Sequence, residues 1–220
     1  VWEAGKGSIP ATLGGIAVGL FLGYGGTTKE QPVHSATTDE LYRANSNFGL
    51  LQVLQNKEAN KRYYLNDFLV QNIYDPQQKQ SLALFTYALH QLARAYTPRL
   101  DRALCIGMGV GIVPMQLARE GVRVDVVEIN PGVVAVATNH FDCDTSKFNL
   151  IIGDGRHFLN ETTEKYDAII LDAFLGDSSP SHLMTTNAFN AMRRVLGAEG
   201  TLVINSFGEF TKWEDFFSAY

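Results

Sequence analysis

Three acids and a set of glycines in this 220-residue chain stand at spacings that could do chemistry. In "YDAIILDAFLGDSSPSHL" an apolar run, Ala168 to Leu171, stops on Asp172, and Asp177 and His182 follow in a Ser- and Pro-rich loop. The run "ALCI" leads into "GMGVG", with Gly107, Gly109 and Gly111. "VRVDVVEI" ends around Glu128, which lies 21 residues after Gly107, and "FNLII" is followed by "GDGR", with Asp154 and Gly155. Glycines let a backbone turn sharply and approach a ligand, and a helix that follows them presents free amides. A carboxylate about 20 residues further on is placed to accept both hydroxyls of a ribose. Asp154 is placed to accept from an exocyclic amine, and an acid such as Asp172 can hold and deprotonate an attacking amine. Together the four strand ends describe a nucleoside-type site.

Such a site needs a parallel sheet, because ligands bind outside the carboxyl ends of its strands. After Pro98 the pattern supplies one. Strands at 103–106, 122–129, 148–152, 166–172 and 201–206 alternate with helices at 111–120, from Asn130 onward, 156–161 and 186–196. Asn130 and Pro131 read as cap and first residue of a helix. Pro114 is tolerable only near a helix start. Apolar strands alternating with helices predict a doubly wound α/β sheet. Upstream, Phe48–Gln55 and Lys61–Asp67 read as two strands joined by a polar turn. Residues 29–47 read as a linker. An amphipathic helix over 79–97 is expected to bury Leu82, Phe85, Ala88, Leu89, Leu92 and Ala93. The expected domains are therefore 48–78 for the hairpin and 79–220 for the α/β part.

Composition sets limits. The net charge is −5, with no run of Lys or Arg, which argues against a nucleic-acid footprint. The two cysteines, Cys105 and Cys143, have neither CxxC spacing nor metal-like neighbours, so neither a disulfide nor a metal is implied. From Gly7 to Thr28 there are 22 residues without a charge, with Gly15, Gly19 and Gly23 on one stripe. That length and stripe fit a helix in a membrane at residues 1–28, and a Gly-rich loop is the other reading.

Position 112 is Ile112, so the third glycine of a G-x-G-x-x-G loop is missing. The motif instead resembles the G-x-G-x-G loop of the class I methyltransferase-like fold. With "LNDFLVQ", "LCIGMGVG", "VDVVEINPGVV", "GDGRHFL", "YDAIILDAF" and "PSHLMTTNAFNAMRRVLGAEGTLVIN", the chain resembles the polyamine aminopropyltransferases (spermidine synthases) over about residues 45–210. It looks most like the bacterial branch fused to membrane helices. The resemblance implies that Gln71, Glu128, Asp154 and Asp172 line a site for decarboxylated S-adenosylmethionine, with Gly107, Gly109, Gly111 and Gly155 beside it. It also implies that Asp172 faces the attacking amine. Asp177 is then placed to hold the rest of a diamine, although an aspartate in such a loop is also a turn former. His182 reads as a loop or packing residue.

The resemblance is incomplete. Where the family has an acidic pair and a Tyr-His-Glu-like triplet, this chain has Phe85, Thr86 and Tyr87, with Tyr87 at an acceptor position and Asp75 the only acid between Gln71 and Asp101. The acids of the strand-four loop are five apart rather than three. Three readings follow: an aminopropyltransferase-like enzyme with an altered amine acceptor, a methyltransferase using S-adenosylmethionine, or a non-catalytic subunit of a membrane complex. The expected partners are a small amine and membrane helices of its own or of another subunit. An oligomer or complex is expected, with the α/β domain on the cytoplasmic side of a membrane.

Overall fold

Alternation along the strands after Pro98 explains the sheet they build. In the computed structural model, which describes residues 34–174 and 180–206, Cys105 and Ile170 pack into one apolar cluster. Their neighbours Leu104, Ile106, Ile169 and Leu171 pack into another on the opposite face. Strands buried on both faces need helices on both faces. The chain supplies α1 (Leu84–Tyr96), α2 (Ile112–Arg119), α3 (Pro131–His140), α4 (Gly155–Glu161) and α5 (Thr186–Val195). The strands are β6 (Arg102–Ile106), β7 (Arg123–Glu128), β8 (Asn149–Ile152), β9 (Tyr166–Leu171) and β10 (Leu196–Ile204). They pair in parallel in the order β10-β9-β6-β7-β8. This is the doubly wound, class I methyltransferase-like sheet, and its chain order reverses between β6 and β9. A crevice for a ligand is expected at that reversal.

Residues read as a linker and a hairpin form one antiparallel sheet instead. β1 (Thr38–Ser46), β2 (Gly49–Asn56), β3 (Lys61–Asn66), β4 (Leu69–Asp75) and β5 (Gln80–Ser81) pair in sequence order. β1 pairs along β2 from Thr38–Asn56 to Ser46–Gly49, so the supposed linker is strand over Thr38–Ser46. Its polar sequence hides it: the buried carboxylate of Glu40 accepts from Arg43 Nε at 2.7 Å and Gln52 Nε2 at 2.9 Å. β5 also carries this sheet past the boundary expected at residue 78.

Leu51, Val53, Tyr64 and Tyr74 of the antiparallel sheet pack on Val133, Val136 and Phe141 at α3. Phe141 meets the rings of Tyr64 and Tyr74 edge-on, and Tyr74 Oη donates to Asp142 Oδ2 at 2.9 Å. The second sheet is thereby fixed beside the crevice. α1 buries Thr86, Leu89, His90 and Ala93, whereas Leu82, Phe85 and Leu92, expected in the core, are exposed.

Residues 7–28 lie outside the described residues, as does Asp177. Among the described residues no helix is long and apolar enough to cross a membrane. Nor do three or more His, Cys, Asp or Glu groups come together as metal ligands. Both cysteines are buried and unpaired, and burial pushes the Cys143 thiol up to about 12.

Candidate active site

The carboxyl ends of β6, β7, β8 and β9 open into a cavity of about 630 Å³. That lies within the size range of small-molecule sites. Each strand end places one group there for a local reason.

β6 ends at Ile106 and turns through Gly107, at φ +90°, into a loop that leads to α2. A Cβ on Gly107 would stand 2.1 Å from the backbone oxygen of Asp172, so only glycine lets the β6 and β9 ends meet. Gly109, at φ +51°, has nothing within 4 Å of its missing Cβ and lines the cavity. Gly111 caps α2 and is not among the lining residues.

Glu128 ends β7 and is buried. Its Oε2 accepts from the Met108 amide at 2.9 Å and its Oε1 from the Asn130 amide at 2.8 Å. One side chain thus ties the glycine loop to the start of α3. Each carboxylate oxygen keeps further acceptor capacity, which suits a pair of ribose hydroxyls. Burial raises its pKa, against those two amides, which lower it.

Asp172 follows β9 and keeps an opening to the cavity while protein surrounds it on nearly every other side. Asn205, just past β10, donates from Nδ2 to its Oδ1 at 2.8 Å. Desolvation raises its pKa and the Asn205 bond opposes that rise.

Asp154 lines the cavity, but its carboxylate already has two tasks. Oδ1 accepts from the His157 amide at 2.7 Å, capping α4, and Oδ2 lies 3.0 Å from His182 Nε2. The role expected for it, accepting from an exocyclic amine, is thus shared with a helix cap. Gly155 packs its α-carbon against Ile106, where a Cβ would come within 2.5 Å of the Ile106 side chain.

Gln71, expected at the cofactor, lines the cavity; of the residues expected at the acceptor, Tyr87 does not, and Asp177 lies outside the described residues. The Tyr87 hydroxyl donates to the Ser81 carbonyl at 2.9 Å, because one turn of α1 carries it away from the crevice. Its neighbours Phe85 and Thr86 line the cavity instead. Sequence reasoning also missed Asn205 and undervalued His182, both of which line it. The rule that found Asp172, a polar group just past a parallel strand, applies equally to Asn205.

Glu128, Asp154 and Asp172 are the carboxylates that line the cavity among the described residues, and no Lys or Arg does so. A low-dielectric recess with that charge favours a cation. It can hold a nucleoside by its sugar, tolerate a sulfonium and take a proton from an amine.

A model of the spermine/spermidine synthase domain matches residues 83–215, more than half of the chain. The chain belongs to the spermine/spermidine synthase family. It is 36% identical over 140 residues to a polyamine aminopropyltransferase of Vibrio vulnificus, covering 60% of this chain and 46% of that protein. It is also 28% identical over 229 residues to an N-terminal histidine N-methyltransferase of Emericella nidulans, covering 93% of this chain and 40% of that one. The chain therefore spans less than half the length of these two curated relatives. The spermidine synthase of Thermotoga maritima has the same fold, with a TM-score of 0.68 at 16% identity over 89% of this chain and 72% of that one.

Proposed function

We propose that this family member moves an aminopropyl group from decarboxylated S-adenosylmethionine to an amine. The observation that carries the reading is the pair Glu128 and Asp172. They are two desolvated carboxylates at the ends of β7 and β9, on either side of β6, in one cavity that no described Lys or Arg lines.

Glu128 holds the ribose hydroxyls, and Gly107 and Gly109 let the sulfonium side chain lie close to the backbone. The amine nitrogen attacks the propyl carbon beside sulfur. An N–C bond forms, the C–S bond breaks, its electron pair stays on sulfur, and neutral methylthioadenosine leaves. The nitrogen's proton passes to Asp172 and then to solvent. A carboxylate whose pKa is raised by burial is a stronger base than one in water, and an approaching cation favours its ionised form. Asn205 fixes which way that carboxylate points.

The methyltransferase relative supports a second reading, methyl transfer from intact S-adenosylmethionine within the same cavity. Calorimetry separates the two. Under the first reading decarboxylated S-adenosylmethionine and methylthioadenosine bind, and the intact compound binds at least tenfold more weakly. Equal or tighter binding of the intact compound would favour methyl transfer. Binding of neither sulfonium would defeat both and leave a non-catalytic domain. The uncharged segment 7–28 supports a proposed attachment to a membrane, which deletion of residues 1–28 followed by membrane sedimentation tests.

A further inference from the structure

The two walls of the cavity are unlike. All three of its described carboxylates come from the strand ends of the parallel sheet. The facing wall, from the antiparallel sheet and the start of α1, contributes no carboxylate among the described residues: Phe48, Leu69, Val70 and Phe85 are apolar, and Tyr64, Asn66, Gln71, Asn72 and Thr86 are neutral. The nearest acids of that sheet are engaged elsewhere. Asp75 is bound by Lys61 Nζ at 2.5 Å and by the amides of Gln77 and Gln78, and Asp67 accepts from the Leu50 amide at 2.8 Å.

The apolar wall continues out of the mouth. Val70 is 53% exposed and Phe85 37%, and beyond them stand Phe68 at 70% and Leu84 at 80%. Phe68 is also strained. It and Asp67 form the tip between β3 and β4 at φ +65° and +47°, a tip that favours Asn-Gly. A bulky residue held in the left-handed region and exposed beside a site points to a use for its ring.

We propose that the acceptor carries one ammonium on a hydrocarbon body, as an alkylamine or arylalkylamine does, and is not a diamine. The proposal rests on the donor reading above. Asp172 receives the one proton that the ammonium gives up to become a nucleophile, the new N–C bond forms as the C–S bond breaks and leaves its electron pair on sulfur, and the hydrocarbon body lies against Phe48, Val70 and Phe85. Among the described residues a second ammonium would meet no carboxylate on that wall, only neutral groups such as Asn66, Gln71 and Thr86, which replace its hydration less well than a carboxylate does. A methyl group in its place gains by leaving water.

Hexylamine and cadaverine make the test, since they differ only by a terminal methyl in place of a second ammonium. The full chain is saturated with methylthioadenosine and titrated with each amine by calorimetry at pH 8. Transfer from decarboxylated S-adenosylmethionine is followed in parallel. Hexylamine is expected to bind at least tenfold more tightly. Val70→Asp is expected to reverse the preference, and Val70→Asn, which changes shape without charge, to weaken both amines alike. Equal or tighter binding of cadaverine by the wild type, or no change of preference in Val70→Asp, overturns the proposal. Failure of methylthioadenosine itself to bind overturns the donor reading, and this proposal with it. Cadaverine preferred on a domain that binds methylthioadenosine overturns this proposal alone.

Discussion

The carboxyl edge of the parallel sheet and the pocket wall of the antiparallel sheet face one another across a single cavity, yet they are built on opposite principles. The first concentrates carboxylates at the price of desolvating them: Glu128 and Asp172 both have raised pKa values because burial disfavours their charge. The second exposes apolar side chains where a soluble surface would carry polar ones, at Phe68, Leu69 and Val70. Costly charge on one side and costly apolar exposure on the other are what a site recognising two unlike parts of a substrate would need. On the proposed reading the donor and the reacting nitrogen belong to the charged edge, and whatever hangs from that nitrogen belongs to the apolar wall.

The sharpest way to break this contrast is at Asp172. Asp172→Asn keeps the shape and an oxygen for Asn205 to donate to, but removes the base. General base catalysis typically contributes about 10²- to 10⁴-fold, so turnover should fall by that factor while methylthioadenosine affinity stays within about twofold. The wild-type rate should climb as pH rises through the raised pKa of Asp172, and the variant should lose that limb. A variant as active as the wild type would refute the assigned role.

Glu128 gives the next largest effect, on binding instead of turnover. Its two oxygens hold the amides of Met108 and Asn130, so Glu128→Ala would strand two buried donors and disturb the loop as well as the ligand. Glu128→Gln is the cleaner probe, since it keeps the size of the side chain and strands one of those amides instead of both. Loss of charge-assisted bonds to ribose, worth about 1.5–3 kcal/mol, should weaken methylthioadenosine roughly 10- to 150-fold. Titration calorimetry reads this directly, and unchanged affinity would remove Glu128 from the nucleoside site.

The same contrast explains what could be read from the sequence. The parallel sheet was legible because both of its faces are covered, so its strands are apolar runs whose ends stand out as Gly107, Glu128 and Asp172. Asn130 and Pro131 likewise marked the start of α3, where Asn130 accepts from the Gly132 amide at 3.0 Å. The antiparallel sheet was legible only in its middle. β1 is polar and its ladder is held by backbone bonds that no periodicity records. α1 misled for the opposite reason. Phe85 and Leu82 fit a core-facing stripe, but they lie toward the cavity mouth or open solvent, and hydrophobic spacing cannot tell a pocket from a core. Asp154 shows a third limit, since an acid at a strand end is also the natural cap of the next helix.

Phe85 probes the apolar side. It is 37% exposed, so Phe85→Ala should lower stability by on the order of 1–2 kcal/mol and leave the domain folded. Methylthioadenosine affinity should hold, while hexylamine affinity should drop about fivefold to twentyfold, in line with apolar area removed from water. A loss of nucleoside affinity as large as that caused by Glu128→Gln would mean that the two walls do not divide the substrate between them.

The smallest effect expected is on the stability of the ligand-free domain, and its sign is the informative part. The folded pKa of Asp172 lies above the unfolded value because burial disfavours its charge. The folded state therefore binds the proton more tightly, so this group's contribution is fully present below the unfolded value, near pH 4, and is lost as pH rises through the folded one. Above that window the domain carries a desolvated charge that serves only the reaction. Asp172→Asn removes it and still offers an oxygen to Asn205, so the variant should be more stable than the wild type at pH 8, by on the order of 1 kcal/mol. The gap should close as pH falls toward 4. Denaturant midpoints at several pH values measure it. A variant less stable than the wild type at pH 8 would show Asp172 to be a structural anchor of the β9 end, and the raised carboxylate would then no longer mark the reacting side of the cavity.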